Sequence, residues 1–151
     1  MERKLIVASL EEIMRKGISG MVDKGTRGNW GDIKLTSEML YALKHFGANY
    51  SLDIVRTSIE WLISEKHTTG KGFSWEDEAW TTSKVIMGIA PYGKCVAEMQ
   101  SAIEYLLDMQ KKDGSWNEEA WETSMSIMAL SEAGNIYEKI TRVQLKKGLI
   151  I

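Results

Sequence analysis

The chain has little of what would place it outside the ordinary helical proteins. Its 151 residues contain one proline, two phenylalanines, two histidines and a single cysteine. With one proline and few β-branched clusters, helix is favoured over sheet. A lone Cys95 excludes an internal disulfide, and a reducing cytoplasmic location is the expectation. Long apolar runs are missing too. The stretch Leu5 to Leu10 is cut short by Glu11 and Glu12, so neither a secretory signal nor a membrane span of about 18 apolar residues is expected. An excess of one charge is also absent, since 19 basic residues stand against 21 acidic ones. Nothing in that balance steers the protein toward nucleic acid or an anionic membrane surface. At this length one domain, 1–151, is expected to bury roughly 70% of its unfolded surface around one core.

What the sequence does contain is a repeat. Gly28-Asn29-Trp30 is followed by Thr36-Ser37, Gly72-Phe73-Ser74-Trp75 by Thr82-Ser83, and Gly114-Ser115-Trp116 by Thr123-Ser124. Four, seven and eleven residues past each Thr stand Leu40, Leu43 and Gly47, then Ile86, Ile89 and Gly93, then Ile127, Leu130 and Gly134. Apolar side chains at that spacing share one helix face, and the closing glycine suits a left-handed cap. A second helix precedes each Trp, marked by Gly17-Ile18-Ser19-Gly20-Met21, Ser58-Ile59-Glu60-Trp61-Leu62 and Ala102-Ile103-Glu104-Tyr105-Leu106. The tail Lys146-Lys147-Gly148-Leu149-Ile150 reads like Arg15-Lys16-Gly17-Ile18-Ser19, the beginning of a fourth copy. Trp30 and Trp75 are 45 residues apart, and Trp75 and Trp116 are 41 apart, which is the length of a helical hairpin. Seven helices are predicted, near 4–22, 34–46, 51–66, 79–90, 95–111, 119–133 and 136–150.

The segment Ala102-x-x-Tyr105-Leu106-x-x-x-Gln110-x-x-x-Gly114-x-Trp116 resembles the Gln-Trp repeat of squalene and hopene cyclases. The other copies match in part, with Lys66 and Gly25 at the Gln position. The acidic-x-x-x-Thr-Ser start of each following helix is similar to the same family and to protein prenyltransferase β subunits. The resemblance implies an all-α fold of helix-hairpin repeats forming a partial α/α toroid, about three helix pairs where a full ring has about six. Helices after each Trp would form the inner ring and helices before it the outer. Trp30, Trp75, Gln110 and Trp116 would be structural, the Gln amide stacking on the indole and bonding the start of the next helix. Half a ring leaves bare edges, so a homodimer or a second partial-toroid subunit is expected as partner; a fragment of a longer chain is the other reading.

The chemistry of the family is not repeated here. Its protonating cyclases carry Asp-x-Asp-Asp before the Thr, because an acid able to protonate an alkene must be shielded among other carboxyls. Lys34, Trp80 and Trp121 occupy the place of the proton-donating Asp. Glu78, Glu119 and Glu122 are the remaining catalytic candidates. Glu119 and Glu122 read more simply as surface glutamates at a helix start, where the helix dipole favours them. The clusters Glu76-Asp77-Glu78 and Glu118-Glu119, which could form a glycosidase-like carboxylate pair, are likewise expected in first helical turns. Zinc in prenyltransferases needs Asp-x-Cys and a His, but Gly93 stands two before Cys95, and His45 and His67 fall on a helix end and an inter-repeat loop. The thioester motif of complement-like toroids is missing around Cys95, as are phosphate-binding loops. No metal and no cofactor are therefore expected. Trp80 and Trp121, with Met87 and Met128 on inner helices, are the candidate ligand-binding residues for an apolar, isoprenoid-like molecule or a protein partner. Packing between repeats would account for the same aromatics, and core filling for Met39 and Met125 as well.

Overall fold

A computed structural model describes residues 2–24 and 29–146, and the side chains of 9–23 and 29–139. The fold is all-α: six α-helices among the described residues, with one short hairpin. In chain order these are α1 (Glu2–Lys24), α2 (Ile33–His45), α3 (Asp53–Ser64), β1 (His67–Thr69), β2 (Gly72–Ser74), α4 (Ala79–Ile89), α5 (Val96–Met109) and α6 (Ala120–Lys146), with a 3₁₀ turn at Ala90–Tyr92. None of the described helices is long and apolar enough to cross a membrane.

Local chemistry sets the helix ends. The Asp32 carboxylate accepts the Leu35 amide at 2.8 Å and caps α2. At the other end Gly47 takes φ 87°, and the amides of Gly47 and Ala48 donate back to Lys44 and Leu43. That pair of bonds is a Schellman cap. Pro91 lies in the turn after α4, which Gly93 closes at φ 66°.

The expected break at Gly134 does not occur. Over the described residues the predicted helices 119–133 and 136–150 are one helix, α6 (Ala120–Lys146), so among those residues six helices stand where seven are predicted. The physical reason is that Gly134 lacks helpers. Gly47 is followed by Ala48, and by Asn49, whose side chain accepts the Ser51 amide at 2.9 Å. Gly93 has Pro91 before it. After Gly134 a single Asn leads into Ile136 and Tyr137, and one glycine in a helix costs only about 1 kcal/mol. Gly25, Gly28 and the end of the predicted last helix, 147–150, lie outside the described residues.

Helices α2, α4 and α6 lie side by side with α4 between the others. Lys34 reaches Glu76 and Glu78 just before α4, while Tyr92 beyond its end donates to the Leu40 carbonyl at 2.6 Å. The two helices therefore run the same way. Trp80 against Trp121, and Ser83 against Ser126, show the same for α4 and α6. Close approach is permitted by Gly88, where a Cβ would sit 2.7 Å from the Ser37 carbonyl oxygen. The hairpin, absent from the predicted elements, is antiparallel with His67 opposite Ser74 and Thr69 opposite Gly72. It packs on α5: the Phe73 amide donates to Ser101 Oγ at 3.2 Å, and Gly72 leaves no room for a side chain there. The second copy of the repeat has one residue more between its Gly and its Trp, Gly72 to Trp75, than the other two copies, and that residue lies in this hairpin. Leu40, Ile59, Leu62, Trp75, Leu106 and Trp116 are among the largest buried side chains of the core.

Candidate functional site

The three repeat tryptophans make equivalent hydrogen bonds, although Trp30 is half-buried where Trp75 and Trp116 are buried in the core. Each indole N–H donates to a carbonyl near the end of the preceding helix: Trp30 to Met21 at 2.9 Å, Trp75 to Leu62 at 2.7 Å, Trp116 to Leu106 at 2.8 Å. Each Trp amide donates to the hydroxyl of the repeat Thr, Thr36, Thr82 or Thr123, at 3.0–3.2 Å. One residue thus ties the helix before it to the helix after it. The turn between Trp and helix is left-handed, through Gly31 in the first copy, Glu76 and Asp77 in the second, and Asn117 and Glu118 in the third. The acidic clusters expected in first helical turns stand instead in these turns, ahead of the helices.

Gln110 does not make the bond expected of it. Its amide donates to the Gly114 carbonyl at 3.0 Å, closing its own loop, and the link to the next helix is made by Thr123. His67, expected in a loop, is in β1, with Nδ1 at 3.1 Å from Asp77. The hydroxyl of Ser74 and the ring of His67 hold the Asp77 carboxyl below its ordinary range. His45 is exposed at the end of α2, its Nδ1 3.1 Å from the Tyr41 carbonyl oxygen. Burial pushes the Cys95 thiol up, away from the thiolate a metal needs.

With this frame, the positions two before and two, five and nine after each repeat Thr fall on one helix face. On α4 they include Trp80, Lys84 and Met87, and on α6 Trp121, Met125 and Met128. The rings of Trp80 and Trp121 meet edge to face at 4.5 Å. Lys84 Nζ lies 4.7 Å from the Trp80 centroid, pairs with Glu38 and is only 12% exposed. Beside Lys84 opens a hollow of about 230 Å³, bounded by Ser37, Glu38, Tyr41, Met87, Met125 and Met128. Its wall is mostly apolar and includes the Lys84–Glu38 pair.

A second cleft, about 260 Å³, lies between the turns at Asp77 and Asn117, and Trp80, Trp121, Glu78 and Glu122 wall it. Glu122, expected at the surface, is buried and accepts the Asn117 side-chain amide at 3.0 Å. Glu78 accepts the Thr81 hydroxyl at 2.9 Å and stands 3.9 Å from Lys34. Lys34 itself bonds Glu76 at 3.0 Å, which raises its pKa and keeps it charged. Glu119 stands apart from both carboxylates, in a groove on the far side of α6 with Ser124 and Ile127. The structure therefore brings together Glu78, Glu122, Trp80 and Trp121, and separately Met87 and Met128. Lys84, Tyr41 and Glu38 were missed by sequence reasoning, although their spacing from the repeat Thr carries the signal.

No protein-family model, curated protein or solved structure matches this chain.

Proposed function

We propose that the chain is an arc of the α/α-toroid type of terpene cyclases and protein prenyltransferases, and that its inner helix face binds an apolar, isoprenoid-like ligand. The observation that carries this reading is the apolar hollow bounded by Met87, Met125, Met128 and Tyr41 next to the Trp80–Trp121 pair. Three thioethers give an adaptable wall for a branched hydrocarbon, and the indole faces suit unsaturated groups. Support for the family lies in the threefold recurrence of the Trp and Thr hydrogen bonds. As a binding module the protein would be completed by self-association, since three inner helices make an open arc.

The test is a titration with farnesol, followed by NMR of methyl-labelled methionines. Met87, Met125 and Met128 signals should move together, and Met128→Asp should abolish the shifts. Unchanged spectra at saturating farnesol would remove the reading.

A second reading, an isoprenoid-handling enzyme completed by a second chain, is favoured by one observation: Glu78 and Glu122 wall the same cleft as the indoles of Trp80, Trp116 and Trp121. Turnover of squalene or a prenyl diphosphate that is lost in Glu122→Gln but retained in Glu119→Gln would establish it.

A further inference from the structure

Two joints between inner helices are built alike. The residues one and four past the repeat Thr form one side: Ser37 and Leu40 on α2, Ser83 and Ile86 on α4, all buried. The residues three and six past the Thr form the other: Val85 and Gly88 on α4, Ser126 and Ala129 on α6, all small or slender and buried. At the first joint Gly88 abuts Ser37, and at the second Ser126 Oγ lies 3.2 Å from Ser83 Oγ.

Both sides of this joint recur, unused, at the two edges of the arc. On α6 the first side is Ser124 and Ile127; Ser124 is exposed and Ile127 is 55% exposed, whereas its counterparts Leu40 and Ile86 are fully buried. On α2 the second side is Met39 and Ala42, both only partly buried where Val85, Gly88, Ser126 and Ala129 are buried, and Ala42 keeps the small side chain found at Gly88 and Ala129. The preceding helix is bare in the same sense: Met14, the counterpart of fully buried Val55 and Met99, is 41% exposed, with Leu10 and Ile13 exposed beside it.

We infer that two copies of this chain join edge to edge, the Ser124–Ile127 face of α6 in one copy receiving the Met39–Ala42 face of α2 in the other. The occupant is a second copy because this chain carries both halves of the joint, on opposite edges and in the register its own helices use twice. Such a contact is heterologous, and two arcs of three inner helices close when each supplies one α6 edge and one α2 edge. The inference deepens the proposed function and rests on the ring-segment part of it, not on the ligand.

The test is sedimentation of the full chain from micromolar to hundred-micromolar concentration, with Ser124→Arg and Ala42→Arg as edge variants and circular dichroism as the check that each folds. Wild type should associate, and each variant should weaken self-association by at least about tenfold. An equimolar mixture of the two should recover pairing, because it retains one intact joint between the α6 of the Ala42→Arg chain and the α2 of the Ser124→Arg chain. A monomeric wild type, association unaffected by both variants, or no recovery in the mixture would each overturn the inference. Should either variant fail to fold, Ile127→Lys and Met39→Lys replace it in the same scheme. Farnesol titration of the monomeric variants separates the two claims: shifts retained without wild-type association sink the edge contact alone, and association without shifts sinks the ligand reading alone.

Discussion

At the scale of single residues, the repeat Thr acts as an acceptor rather than as a helix former. Thr82 Oγ1 receives the Trp75 amide inside the core, while Thr36 does the same for half-buried Trp30. Replacing the hydroxyl by a methyl leaves a buried N–H without a partner in one case and a hydratable one in the other. Thr82→Val should therefore cost about 1–3 kcal/mol and Thr36→Val less, measured by urea unfolding. Equal losses would mean that the bond has no special weight in the core. The Trp and Thr of this bond were legible because they recur at a near-constant short spacing. The switch from Gln110 to Thr123 as the link to the next helix was not, since several polar groups near each Trp could satisfy the same donors.

Among the elements, glycines decide opposite outcomes. Gly88 lies where α2 and α4 touch, and an added methyl would meet the Ser37 backbone at 2.7 Å. Gly134 lies within α6, with nothing within 4 Å of an added methyl. Gly88→Ala should destabilise by about 1–3 kcal/mol through overpacking. Gly134→Ala should stabilise by about 0.5–1 kcal/mol, because alanine loses less backbone freedom in a helix. Thermal unfolding of both variants decides it; a destabilised Gly134→Ala would mean that α6 bends there as the sequence predicts. Helix existence was readable from apolar spacing for α2 to α5. The joining of two predicted segments into α6 was not, because a lone glycine is a weak stop signal without a turn to follow it. The hairpin between α3 and α4 escaped notice for a related reason: three-residue strands carry almost no periodicity.

For the whole molecule, buried phenols set the response to base. Burial raises the pKa of Tyr92 and Tyr105, and of Tyr137 from 10.0 to about 12. Because the folded state holds these groups protonated, their contribution to stability is fully present below the ordinary phenol pKa and is lost as pH rises above it. The urea midpoint should be flat up to about pH 9 and fall beyond about pH 10. Among the described residues the Tyr137 hydroxyl is buried without a hydrogen-bond partner. Tyr137→Phe should raise stability at neutral pH by about 1 kcal/mol and flatten the alkaline decline. A loss of stability at neutral pH would show that the hydroxyl is satisfied.

What the sequence by itself determined is whatever lies within one repeat: a Trp, a turn, a Thr and the helix that follows, with glycine caps at Gly47 and Gly93. These features depend on hydrogen bonds and side-chain spacing within about four helical turns, so a linear reading reaches them. Only the tertiary structure decided that Glu38 and Tyr41 share a hollow with Met125, that Glu122 is buried while Glu119 is not, and that Ser124 stands bare where Ser37 and Ser83 are covered. Those outcomes turn on which helix lies beside which, and on where the stack of helices ends; spacing along one helix does not contain that information.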